Sequence, residues 1–150
     1  MMWKRVLVVF GLLLLGSSTA AAQDQKPVAA APPAEFKIPP EAAKQPNPVK
    51  STPESLAKGK KLYGYDCAMC HGKDGDGKGD LASSLNTKMS DLRDPSSLKD
   101  RTDGELMYVI KNGKGEMPAE GDRAKGNEGW DLVNYVRSFA KKEAAEKEKQ

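Results

Sequence analysis

Two cysteines and one histidine constrain this chain more than anything else in it. Cys67-Ala68-Met69-Cys70-His71 contains both cysteines and the single histidine of the 150 residues. Two thiols three positions apart, followed at once by an imidazole, have the spacing of c-type haem attachment. Each thiol can add across one vinyl group of the porphyrin to give a thioether, while the adjacent ring presents a nitrogen to the iron. Neutral imidazole is a good iron ligand and a common proximal one. Three other chemistries compete. A thioredoxin-like Cys-x-x-Cys expects a neighbouring βαβ pattern, and the flanks here read as helical and glycine-rich. Structural zinc takes four Cys or His ligands, and the chain has three such residues. A simple disulfide remains as an alternative. The expected cofactor is one covalent haem c.

The first 22 residues read as an export signal. Lys4 and Arg5 form a charged start, Val6 to Gly16 an apolar run, and Ala20-Ala21-Ala22 a small-residue end, so cleavage is expected before Gln23. The alternative is an uncleaved membrane anchor, but the uncharged stretch from Val6 to Ala22 is at the short limit for a bilayer. Haem attachment through thioethers fits an exported, periplasmic location. Removing Lys4 and Arg5 lowers the formal charge from +3 to +1, and two haem propionates would make it slightly negative. That balance gives no reason to expect nucleic acid as a partner. A domain this small needs a staple beyond its side chains, and a covalent macrocycle is one.

Residues 23–50 contain seven of the ten prolines. They read as an extended linker, or as a strap if Phe36 and Ile38 lie in a groove of the domain. The domain proper is expected over 51–142. Ser51 and Glu54 have capping-box spacing for a helix reaching about Asp66, with Leu56, Gly59, Tyr63 and Cys67 on one face. Gly59 costs about 1 kcal/mol relative to Ala inside a helix, so close passage of another helix is expected there. Gly72 to Gly79 is a tight loop, and its acidic residues lack the ligand pattern of a calcium loop. Leu81 to Leu92 fits a short helix or a loop. Asp94-Pro95 starts a brief helix to about Lys99. Thr102 and Glu105 cap another helix, with Leu106, Val109 and Ile110 on one face and Gly113 as its stop. Asn127 opens the last helix, expected to reach Lys142, with 143–150 a frayed, charged tail.

Met117, in Gly113-Lys114-Gly115-Glu116-Met117-Pro118, occupies a poor place for a packing residue, and a thioether there can coordinate iron. Met89, in an unassigned loop, is its rival. Met107 falls mid-helix, as core residues do, and Met69 is inside the attachment turn.

Taken together, these residues resemble a monohaem class I c-type cytochrome over roughly Pro53 to Lys142. The resemblance rests on Gly59-x-x-x-Tyr63, Cys67-x-x-Cys70-His71, Met117-Pro118 and Leu132-x-x-Tyr135. It implies an all-α fold of three main helices plus short helices and loops around one covalent haem. It also implies that the first and last helices cross at Gly59 against Leu132 and Tyr135. Cys67 and Cys70 would hold the haem, with His71 as proximal and Met117 as distal iron ligand. One departure is plain. The family's proline after the histidine, whose carbonyl orients the imidazole, has no counterpart between His71 and Asp94.

The function implied is a monomeric electron carrier that docks transiently on redox protein partners, membrane respiratory complexes among them. Lys73, Lys78, Lys111 and Lys114 would steer an acidic partner or merely keep the surface soluble. Two other readings are a haem subunit of a redox complex and a haem enzyme or gas sensor with a labile distal ligand.

Overall fold

The computed structural model describes residues 36–147, with side chains to residue 141. The export signal of residues 1–22, its cleavage point, the first part of the proline-rich segment and the last three residues lie outside the described residues.

The architecture is all-α. Its helices are α1 (Pro40–Ala43), α2 (Pro53–Asp66), α3 (Ala68–His71), α4 (Pro95–Leu98), α5 (Asp103–Asn112) and α6 (Glu128–Lys147), with a 3₁₀ turn at Ala82–Ser84. The β pairing among the described residues is one isolated bridge, Lys114 with Met117. Local chemistry sets most helix ends. Asp94 caps α4 by accepting from the Ser96 N–H, with Pro95 in the first turn. Thr102 and Glu105 form the full capping box of α5, and Gly113 ends that helix at φ 72°. The cap of α2 is Thr52 rather than Ser51, its side chain accepting from the Ser55 N–H. This register puts Pro53 at the first helical position, where its missing N–H costs nothing. The last helix continues to Lys147, past the expected end at Lys142, so the charged tail prolongs α6.

α2 packs against α6 more extensively than any other helix pair. The crossing point is Gly59. A Cβ there would lie 2.7 Å from the Tyr135 Cβ and closer still to the Asp131 carbonyl oxygen. Tyr135 is the expected partner, the Asp131 backbone is the nearest group, and Leu132 is buried in the core. Beside the crossing, Tyr63, Tyr135 and Phe139 form an edge-to-face triad with centroids 4.9 to 5.4 Å apart. Such tilted geometry suits aromatic quadrupoles. Met107, Ile110, Trp130 and Val133 complete the core. On α5 the buried face is Gly104, Met107 and Ile110, so Met107 is core as expected, while Leu106 and Val109 are half-buried.

The described part of the proline-rich segment lies against α5 and α6. The Thr102 hydroxyl donates to the Ala43 carbonyl at 2.6 Å. A Cβ on Gly104 would approach the Gln45 carbonyl to 2.8 Å. Buried Asn134 of α6 accepts from Asn47 Nδ2 and donates to the Val49 carbonyl and Ser55 Oγ, all at 3.0 Å. The Phe36 ring meets Tyr108 at 6.0 Å, and Lys114 Nζ stands 5.7 Å above it. Arg137 anchors α6 to the α4–α5 junction through Asp103 Oδ1 at 2.9 Å and the Leu98 carbonyl at 2.8 Å.

Candidate haem-attachment site

Cys67, Cys70 and His71 occupy one tight turn. α2 ends at Asp66, and α3 follows almost at once, with the His71 N–H donating to the Cys67 carbonyl at 2.9 Å. The glycine-rich loop folds back around this turn and satisfies its remaining carbonyls. Gly77 N–H donates to His71 O at 2.9 Å, Gly79 N–H to Cys70 O at 3.2 Å and Leu81 N–H to Met69 O at 2.9 Å. Such close passage needs glycine at position 79. A Cβ there would fall 2.6 Å from the Ala68 carbonyl oxygen and closer to that of Met69. The loop expected to bend around something therefore bends around the attachment turn itself.

Tyr63 locks this turn to α2. Its buried hydroxyl donates to the Gly72 carbonyl at 2.8 Å, and burial pushes its pKa up, so it stays a donor. Tyr63→Phe leaves a buried carbonyl without a partner, an expected loss of about 1–3 kcal/mol. Urea unfolding of the haem-loaded variant beside its parent measures this; equal midpoints would mean that the hydroxyl contributes nothing.

The chemistry of the donors fits a covalently held haem. Burial pushes the Cys67 thiol up to about 12, with Glu120, Asp66 and Cys70 adding to the shift. Cys70 is likewise half-buried, and both cysteines are free. Burial lowers the His71 pKa, which favours the neutral imidazole that coordinates metal. Its Nδ1 is buried and has no hydrogen-bond partner among the described residues. An orphaned buried polar atom costs about 1–3 kcal/mol, which a purely structural side chain has no reason to bear. Among the described residues, no carbonyl accepts from this nitrogen in the place of the proline carbonyl.

Met117 approaches from a different part of the chain. Gly113 turns the backbone out of α5, and a Cβ there would meet the Met117 carbonyl oxygen at 2.5 Å. Lys114 and Met117 then exchange both backbone hydrogen bonds at 3.0 Å, which closes a tight reversal with Met117 at its exit. Met117 and Cys67 are both partly buried against the same core cluster. Met89 is also half-buried, but it lines a different feature, a cavity of about 820 Å³ shared with Asp76, Lys78 and Asp91. Met69 is 49% exposed.

Two features were not legible in the sequence. Arg123 pairs with Asp66 beside Cys67 and lies 3.9 Å from Glu120. Glu116 accepts from the backbone N–H of Asn86 at 3.2 Å, from its Nδ2 at 3.0 Å and from the Thr87 N–H at 3.0 Å. Hydrogen bonds from Asn86, its backbone N–H foremost, and from Thr87 hold the Glu116 carboxyl below the usual carboxylate range. No local signal announces the Arg123–Asp66 pair or the Glu116 contacts, because those partners are remote in sequence. Lys73, Lys78, Lys111 and Lys114 are all exposed.

Known proteins with similar sequences agree with this chemistry. A family model described as cytochrome c oxidase, cbb3-type, subunit III matches residues 54–136. Cytochrome c6 of Pyropia tenera is 31% identical over 87 residues, covering 58% of this chain and 95% of that protein. Cytochrome c6 of Pyropia yezoensis is also 31% identical over 87 residues, with 58% of this chain and 74% of that protein covered.

Proposed function

Because the chain belongs to the monohaem class I c-type cytochromes, a family of electron carriers, we propose that it shuttles single electrons between redox proteins outside the cytoplasm. In this reading one haem c is attached to Cys67 and Cys70, with His71 and Met117 as the axial ligands of its iron. The observation that carries it is the attachment turn, where a half-buried imidazole with a lowered pKa, its buried Nδ1 without a partner among the described residues, follows two half-buried cysteines.

The haem iron supplies the one-electron chemistry, and Met/His ligation together with burial raises its potential. The protein's own contribution is rigidity. The carbonyls of the attachment turn are tied down by Gly77, Gly79 and Leu81, and Tyr63 fixes the turn to α2. On the other side the Lys114–Met117 bridge holds the methionine's backbone. A ligand set that moves little between oxidation states lets an electron pass with little rearrangement. Partners would dock over a small, transient interface, with the exposed lysines near the site steering acidic ones. The signal-like residues 1–22 support export to the periplasm.

A second reading, a haem subunit of a larger respiratory complex, is favoured by the description of the matching family model. The two separate on purification: a carrier emerges free and monomeric, a subunit with its complex. None of the described helices is long and apolar enough to cross a membrane.

Carbon monoxide tests the ligation. The visible spectrum of the reduced, haem-loaded protein is expected to stay unchanged when the gas is added, whereas Met117→Ala should shift its Soret band promptly. A prompt shift in the parent would bring the enzyme or sensor reading forward.

A further inference from the structure

We propose that Glu116 is a positioning residue for the distal methionine, its carboxylate clasping the Met117 turn to the loop at Asn86–Thr87. This rests on the reading of Met117 as an iron ligand. The two loops belong to two separate stretches of chain that leave the site residues. One arm runs from His71 through the glycine-rich loop to Leu92, and the other leaves α5 at Gly113 and carries Met117. The first arm is secured where Leu92 N–H donates to Gly75 O at 2.7 Å, and the second where Glu120 N–H donates to Ile110 O at 2.9 Å. Between these anchors the tip of the Met117 turn stands clear. Gly115 has φ 59°, and a Cβ on it would meet nothing within 4 Å.

The Glu116 side chain bridges that gap. One carboxylate oxygen accepts from the Asn86 N–H and its Nδ2, and the other from the Thr87 N–H. Two of the three donors are backbone groups, already fixed in direction. Charge-assisted bonds to a carboxylate are stronger than neutral ones. Convergence of three on the residue next to Met117 sets the separation of the two arms, and with it the position of the thioether. Without the clasp, the turn keeps its own Lys114–Met117 bridge but loses its tie to the first arm, and the sulfur would leave the iron more readily.

The test uses the haem-loaded full chain as parent, Glu116→Ala, Glu116→Gln, Asn86→Ala and Met117→Ala. Oxidised protein is titrated with imidazole while the methionine-to-ferric charge-transfer band in the far red is followed, and reduction potentials are measured alongside. Glu116→Ala should lose the band at an imidazole concentration about five- to tenfold lower than the parent, since these hydrogen bonds are solvent-exposed and screening reduces them below the range for buried charged groups. Glu116→Gln should fall between, because its amide keeps one acceptor oxygen and turns an NH₂ toward a donor. Asn86→Ala should shift the same way but less, since both backbone donors remain. A clasp that only stabilised the surface loops would leave the band and the potential unmoved. Displacement of Glu116→Ala at the parent's concentration, with an unchanged potential, overturns the proposal while the Met117 reading stands. A parent without the band, or a Met117→Ala variant that retains it, overturns both.

Discussion

Phe139→Ala is expected to cost the fold about 3–5 kcal/mol, the usual range for truncating a buried phenylalanine. Phe139 is 3% exposed and touches three parts of the structure at once. Its ring meets Tyr63 of α2 at 5.1 Å and Tyr135 of its own helix at 4.9 Å, both edge to face. It also lies against the glycine-rich loop, where a Cβ on Gly75 would come within 2.8 Å of its Cδ2. Truncation therefore opens a cavity where α2, α6 and the loop that braces the attachment turn converge. Two aromatic pairs are lost with it, each contributing about 0.5–1.5 kcal/mol beyond area burial. For a domain whose total stability is about 5–15 kcal/mol, such a loss can leave a large unfolded fraction. The denaturant midpoint of the haem-loaded variant against its parent reads the effect, and Phe139→Leu should recover part of it. A loss under about 1 kcal/mol would show that neighbouring side chains collapse into the space.

Gly59→Ala should also destabilise, although helix propensity alone argues the opposite sign. Alanine gains about 1 kcal/mol over glycine in a helix interior. Against that stands the crossing with α6, where the new methyl would press on the Asp131 carbonyl and the Tyr135 Cβ. Neither atom is the end of a flexible side chain, so relief requires α2 and α6 to move apart. Overpacking of this kind costs about 1–3 kcal/mol and occasionally more, which exceeds the propensity gain. The expected outcome, the overpacking cost less the propensity gain, is a net loss of up to about 2 kcal/mol in thermal or urea unfolding. Gly64→Ala is the control: it is on the same helix, and its Cβ would meet nothing within 4 Å, so it should be neutral or stabilising. Stabilisation by Gly59→Ala would mean that the crossing is looser than its geometry.

Much of the local architecture was legible in advance because it depends on residues close in sequence. Thr102 and Glu105, Asp94 with Pro95, and the stop at Gly113 act within one helical turn. The misplaced cap of α2 is instructive. Ser51 and Glu54 have the right spacing, but Thr52 places Pro53 at the favoured first position, and the proline decides the register. The tail beyond Lys142 read as solvated because it is charged, yet helix propagation from a well-packed segment carries the backbone to Lys147.

The sequence by itself determined the Cys67–Cys70 spacing, which in this family implies covalent haem, and the helical class. The spacing of Cys67, Cys70 and His71 is a covalent fact, and Gly59 signalled a close approach without naming what approached. Only the tertiary structure decided what met there. The Asp131 carbonyl and the Tyr135 Cβ lie against Gly59, the Tyr63 hydroxyl finds the Gly72 carbonyl, and Glu116 reaches Asn86 and Thr87 about thirty residues away. The physical reason is that propensity, capping and ligand spacing act over a few residues of chain. Pairings between remote segments depend instead on how packed helices cross, and no short window of sequence records that.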